Sequence, residues 1–208
     1  AKKSGGLTQS HLRFSDEPIH STYLVRSADF VAVHNAAYLE KFDVGKDLKD
    51  GGTFLLNCQW SDEELEKHLP TPLKRQLAEK HAQFYTIDAS DIALKLGLGS
   101  RTNTVLQSAF FKLTNIIPMD VAVEAMKSAI EKTYLVKAGQ KVVDMNCAAV
   151  DEGVRALHKI EVPDSWKDLA DDDAGEAVHD FLHDIIIPMN QRKGDDLPVS
   201  IFQKYHTV

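Results

Sequence analysis

Two short stretches combine cations with glycine in a way suited to holding an anion. The first is KKSGG at the amino end, where Lys2, Lys3 and Ser4 supply donors and Gly5 and Gly6 permit close backbone approach. The segment after it alternates. Thr8, Ser10, Leu12 and Phe14 share one face of a strand over Leu7–Phe14, and Leu7, Gln9, His11 and Arg13 share the other. The plainer reading is a turn into an edge strand whose lysines discourage edge-to-edge pairing. The second stretch is GLGSRTN, in which Gly97 and Gly99 lead into a helix whose first turn presents Ser100, Arg101, Thr102 and Asn103. Free N–H groups, the helix dipole and the Arg101 guanidinium would hold a phosphate there. Equally, Ser100 or Thr102 caps the helix and Arg101 stays solvated.

Other candidates are weaker. In HNAAY, His34 and Asn35 follow an apolar run and so sit at the carboxyl end of a strand, where open sheets bind ligands. Asn35 also suits a cap for the next helix, with His34 packed beneath it. His179 and His183 stand at i and i+4 in HDFLHD, a spacing able to place two imidazoles on one metal. No third ligand accompanies them, and Val178, Phe181, Leu182 and Ile185 explain the helix as amphipathic. No Ser-His-Asp or Cys-His set is recognisable. By its own residues the chain does not read as a catalyst.

The elements that would position these residues alternate between strand and helix. Strands are expected at Leu7–Phe14, Thr22–Val25, Phe30–His34, Thr53–Leu56 and Phe84–Ile87, several as continuous apolar runs fit for burial on both faces. Helices are expected at Ala36–Phe42, Asp62–His68, Pro72–His81, Asp91–Leu96, Asn103–Ile116, Met119–Leu135, Lys141–Leu157 and Glu176–Pro188. Ser61 with Glu64 makes a capping box, Asp173 with Glu176 a similar pair, and Pro118 suits a first helical turn. Within Met119–Leu135, the stripe Val121, Ala122, Ala125, Met126, Ala129 and Ile130 reads as core. The alternation implies an α/β layered sheet followed by a helical extension. PDSWKDLADDDAG, at Pro163–Ala174, looks like a linker.

Composition limits the partners. The 208 residues carry a net charge of −7, concentrated in 151–184, where eleven acids face three bases. Nucleic acid, which needs a broad basic surface, is excluded as a partner class, although a small basic pocket is not. No run approaches a membrane span and no leader pattern is visible, so a cytoplasmic protein is expected. The two cysteines, Cys58 and Cys147, make neither a disulfide framework nor a four-thiolate site.

Seven ordered blocks then carry a resemblance. They are KKSGGLTQSHLRFSDEPIHSTYLV, ADFVAVHNAAYLEKFD, GGTFLLN, WSDEELEKHLP, FYTIDA, GLGSRTNTVLQSAFFKL and DMNCAAVDEGVRAL. From Lys2 to about Trp166 the chain resembles the third, or gamma, domain of single-chain pyruvate:ferredoxin (flavodoxin) oxidoreductase, and GDDLPVS is similar to the run-in to that family's iron–sulfur domain. The resemblance implies a Rossmann-like three-layer α/β/α sandwich with a largely parallel or mixed sheet. It implies two divisions: residues 1–168 as a coenzyme A-binding gamma domain lacking its first strand and glycine-rich loop, and residues 169–208 as a helical linker. It implies a share in the oxidative decarboxylation of pyruvate with coenzyme A to acetyl-CoA and carbon dioxide, reducing ferredoxin or flavodoxin. Thiamine diphosphate and [4Fe–4S] clusters would then reside in other domains of a homodimeric enzyme, and the isolated chain would be inactive. Lys2, Lys3, Ser4, Gly5 and Gly6 would cradle coenzyme A phosphates, with Arg101 and Asn103 beside them. A stand-alone nucleotide- or coenzyme A-binding subunit acting in trans, and a non-catalytic interaction domain, remain the alternatives.

Overall fold

A computed structural model describes residues 8–20, 23–170, 182–191 and 193–205. Four strands form one sheet in the order β1 (Ala28–Val33), β2 (Leu48–Asn57), β3 (Gln83–Ile87) and β4 (His158–Ile160). The first three are parallel and β4 runs antiparallel to β3. A 3-10 turn at Ala36–Tyr38 follows β1. Helices α1 (Asp62–His68) and α2 (Thr71–Glu79) connect β2 to β3. Helices α3 (Ala89–Lys95), α4 (Asn103–Thr114), α5 (Met119–Ala138) and α6 (Gln140–Arg155) connect β3 to β4.

Strand periodicity sets the layers. Phe54 and Leu56 of β2, Phe84 of β3 and Val33 of β1 pack with Leu65, Leu73 and Leu77 under α1 and α2. On the opposite face, Leu55, Ile87 and partly buried Phe30, Ala32 and Tyr85 meet Ala93, Val105, Ala109 and Ala149 of α3, α4 and α6. Helices on both faces of a mixed sheet make the expected three-layer α/β architecture. The Ser61–Glu64 capping box is complete, with the Glu64 carboxylate accepting from the Ser61 amide at 2.9 Å. That bond holds the Glu64 carboxyl below its ordinary range. Pro118 stands at the N-cap of α5, one place before the helix.

Four sequence expectations need correction. Residues 8–14 and 23–25, the described parts of Leu7–Phe14 and Thr22–Val25, belong to no strand. Side chains take the place of a ladder there: the Arg13 guanidinium donates to the Tyr23 carbonyl and lies 3.7 Å from its ring centre, while His11 Nδ1 accepts from the Val25 amide at 3.2 Å. Ala36–Phe42 contracts to the 3-10 turn, and β4, whose HKI lacks any alternation, has no counterpart in the sequence reading. In α5, Ala122, Met126 and Ile130 are buried but Val121, Ala125 and Ala129 are exposed. The outer helix α5 packs mainly against α6, so its apolar stripe is narrower than a helix on the sheet requires.

The expected Glu176–Pro188 helix and the Asp173–Glu176 cap fall largely outside the described residues. From Leu182 the chain forms a π turn to Ile186, then α7 (Ile187–Asn190), a 3-10 turn at Gly194–Asp196 and α8 (Val199–Lys204). Ion pairs Lys193–Asp43 (3.2 Å) and Lys46–Asp196 (2.9 Å) tie this extension to the loop before β2. Lys204 and Tyr205 both donate to Asp184, and these bonds pull its carboxyl down to about 2. Within the linker-like stretch, Trp166 is buried against the α1–α2 face of the core and the Leu169 carbonyl accepts from Arg75 at 3.3 Å.

One side chain joins the carboxyl ends of all three parallel strands. Buried Asn57 closes β2, donates Nδ2 to the carbonyl of His34 beyond β1 (3.0 Å), and accepts at Oδ1 from the amide of Ala89 beyond β3 (2.9 Å). Replacing Asn57 by alanine strands two polar backbone groups, at about 1–3 kcal/mol each. Asn57→Asp keeps only the acceptor half and should fall between alanine and wild type in urea unfolding. The α4–α6 contact is equally intolerant. A Cβ on Gly153 would lie 2.1 Å from Ser108 Oγ and 2.4 Å from the Val105 carbonyl oxygen, so Gly153→Ala should cost about 1–3 kcal/mol in the same measurement.

Candidate functional site

The carboxyl ends of the parallel strands frame a crevice of about 340 Å³ lined by His34, Asn35, Asn57, Cys58, Trp60, Asp88 and their neighbours. It lies where the rule for open α/β sheets places a ligand. Asn35 caps the 3-10 turn, its Oδ1 accepting from the Ala37 amide at 3.0 Å, as the cap alternative has it. Asp88 caps α3 through the Asp91 amide at 2.8 Å. Trp60 stacks on His68 with ring centres 4.9 Å apart. His34 is exposed on one side, and the packing around the rest of its ring lowers its pKa, favouring neutral imidazole.

Burial raises the Cys58 thiol pKa; a hydrogen bond with the Trp60 backbone opposes this, and the nearby Asp88 charge reinforces it. The thiol is therefore protonated and a poor nucleophile at neutral pH. No Lys or Arg is among these lining residues. The crevice thus offers polar donors and acceptors, one aromatic face and the Asp88 carboxylate, but no positive charge to balance a phosphate. The sequence reading reached His34 and Asn35 but missed Asn57, Cys58, Trp60 and Asp88. Carrying the strand-end rule from β1 to β2 and β3 would have reached them.

The glycine loop is a separate place. Gly97 and Gly99 adopt φ of 76° and 62°, conformations that favour glycine. Gly97 also approaches α6, where an added Cβ would stand 3.0 Å from Met145 Cε. The Arg101 amide donates to the Leu98 carbonyl at 3.3 Å, and Arg101 and Asn103 are both exposed. Thr102 occupies the N-cap of α4 without a side-chain hydrogen bond, so neither it nor Ser100 makes the capping bond allowed by the sequence. The loop follows the C-terminus of the seven-residue α3, whose N-terminus borders the crevice. A helix of that length separates the two places by about 10 Å. The structure does not bring Arg101 or Asn103 into the crevice.

Lys2, Lys3, Ser4, Gly5 and Gly6 lie outside the described residues. The arm that follows them is anchored beside α4: Phe14 packs on Phe110 with ring centres 5.9 Å apart, and Phe110 meets Phe30 of β1 at 5.2 Å. His179 also lies outside the described residues, while His183 is exposed and sits 3.5 Å from Asp184. Among the described residues no group of three His, Cys, Asp or Glu could hold a metal ion. Cys58 and Cys147 are both free, and no described helix is long and apolar enough to cross a membrane.

Known proteins share this sequence and architecture. The family model described as pyruvate ferredoxin/flavodoxin oxidoreductase matches residues 1–156. Pyruvate-flavodoxin oxidoreductase of Klebsiella pneumoniae is 50% identical over 205 residues, covering 97% of this chain and 17% of the relative. Pyruvate:ferredoxin oxidoreductase of Moorella thermoacetica is 47% identical over 204 residues, with the same coverage. The chain therefore spans about a sixth of the length of these relatives. Among solved structures, the pyruvate oxidoreductase subunit PORC of Thermotoga maritima superposes with a TM-score of 0.52 at 26% identity, over 66% of this chain and 67% of that one. With three-quarters of its residues inside the family model, the chain belongs to the pyruvate ferredoxin/flavodoxin oxidoreductase family.

Proposed function

We propose that this chain is the gamma segment of a larger pyruvate:ferredoxin/flavodoxin oxidoreductase and that its task there is to hold coenzyme A. In that reading residues 1–168 form the binding domain and residues 169–208 lead toward an iron–sulfur domain. The complete enzyme, a cytoplasmic homodimer, converts pyruvate and coenzyme A to acetyl-CoA and carbon dioxide and passes two electrons to ferredoxin or flavodoxin. Thiamine diphosphate supplies the decarboxylation chemistry and [4Fe–4S] clusters the electron path. Two cysteines cannot supply the four thiolates of a cluster, so in this reading the clusters belong to other domains. This chain's residues would bind and orient a co-substrate.

The anchoring of the amino-terminal arm on α4 carries the coenzyme A assignment. Phe110, on which Phe14 packs, stands seven residues into α4 from Asn103, about 10 Å along the helix. Eight residues from Phe14 back to Gly6 can span at most about 27 Å. The KKSGG segment is therefore tethered within reach of the Arg101–Asn103 turn. Such a meeting would combine two lysines, a guanidinium, permissive glycines and the uncapped start of α4, which suits the diphosphate and 3′-phosphate of coenzyme A. The acidic 151–184 segment would repel the same ligand.

The solved PORC neighbour is a separate subunit, which favours the second reading, a chain acting in trans. The mass of the native polypeptide distinguishes the two: about six times this chain for the segment, about 23 kDa for the subunit. Calorimetry with coenzyme A tests the site. Lys3→Ala and Arg101→Ala should each weaken binding by about 1–3 kcal/mol, the worth of a charge-assisted hydrogen bond. Wild-type binding that neither substitution weakens would remove the site from this turn. The isolated chain should produce no acetyl-CoA from pyruvate, coenzyme A, thiamine diphosphate and an acceptor dye.

A further inference from the structure

Between α5 and α6 runs an open groove of about 820 Å³ that takes no part in the site above. Its floor is apolar, made by Met119, Val123, Val143 and Cys147, and its rim carries the exposed carboxylates Asp120, Glu124, Glu131 and Asp144. Lys127 is the single cation among the lining residues, and its ammonium is engaged by Asp151 at 2.7 Å. From Met119 to Glu131 the α5 wall runs about 18 Å, the length of a three-turn helix. An apolar trough with carboxylate rims is complementary to a helix with one apolar face and flanking Lys or Arg.

We propose that this groove is the seat of a basic amphipathic helix contributed by the part of the polypeptide that lies outside these 208 residues. The inference rests on reading the chain as a segment of a longer enzyme. The relatives carry about five-sixths of their length elsewhere, which supplies the covering segment. A second copy of this chain is the poorer occupant, because each copy brings a net charge of −7 and identical carboxylate rims would face one another. Burial on the floor would supply affinity, and the rim would set orientation and choice of partner.

Cys147 on the floor reports occupancy, and Cys58 in the distant crevice reports general accessibility. Pulse alkylation of the full-length native enzyme, read by mass spectrometry on the tryptic peptides Asp50–Lys67 and Val142–Arg155 (Met145–Arg155 where Asp144 is replaced by lysine), compares each thiol with its rate in the urea-unfolded enzyme. A covered groove should slow Cys147 by more than about a hundredfold, since reaction then waits for local opening. The double substitution Glu124→Lys, Glu131→Lys on the exposed rim, and separately Asp144→Lys on the facing wall, should restore at least about a tenfold faster reaction as the basic segment is repelled. The Cys58 rate should stay the same in all three proteins.

A Cys147 rate close to the unfolded value would show an open groove and overturn the proposal, leaving the segment reading intact. Protection that survives both charge reversals would show a non-basic occupant, and protection lost on dilution would show a second copy; either result overturns it. Failure of the segment reading is visible separately, as a native polypeptide of about 23 kDa.

Discussion

Phe54, Leu55 and Leu56 occupy three successive positions of β2, and none is more than 1% exposed. Side chains of a strand point alternately to opposite faces, so three such residues oblige the chain to bring cover to both sides of the sheet. The connection from β2 to β3 supplies α1 and α2 on one face, and the connection from β3 to β4 supplies α3, α4 and α6 on the other. Full burial of each large apolar side chain contributes about 1.5–3 kcal/mol, more than any single exposed ion pair in the molecule can add. The ion pairs of the carboxyl-terminal extension therefore fasten a segment to a core that already stands.

Covering both faces leaves the strand ends as the place where polar backbone meets an opening. Asn57 resolves this by bonding across the ends of all three parallel strands, which also fixes the mouth of the crevice. The same arrangement fills the nearest helix start, because Asp88 and Asn57 occupy the first amides of α3. An anion would find no free donor of that helix turn among these groups and no cation lining the crevice. The uncapped turn at Arg101–Asn103 presents the opposite chemistry, at the far end of α3. Charge thus separates a crevice without cations from a turn that exposes Arg101 within one α/β layer.

The central fold was legible because strong constraints wrote it. β2 and β3 appear as continuous apolar runs, and α1 announces itself through Ser61 and Glu64. The arm misled for a physical reason. Its alternation of Leu12 and Phe14 with His11 and Arg13 imitates a strand, yet an alternating pattern cannot say whether a partner strand is available. Arg13 and His11 bond instead to the backbone at Tyr23 and Val25. β4 was illegible because a three-residue edge strand is placed by β3 and α6, not by its own pattern. Of the site, the glycine loop could be found from residue types. Asn57 could be found as a strand-end residue, but not its bonds, since these appear only when two other strand ends are set beside it.

The exposed apolar side chains carry the last step. Leu12, Phe14, Ile19, Tyr23 and Leu24 are each at least half exposed, and all fall in the arm before β1. The sheet beneath β2 and β3 is covered on both faces, so this exposure does not reflect a core too small for its sequence. Leu94, Val136 and Val199 are exposed elsewhere, and in the arm the exposure accompanies a backbone that joins no sheet. Among the described residues of the arm, Phe14 reaches a ring on the body of the domain, that of Phe110. One aromatic contact worth about 0.5–1.5 kcal/mol beyond its buried area holds the arm to α4 at that point.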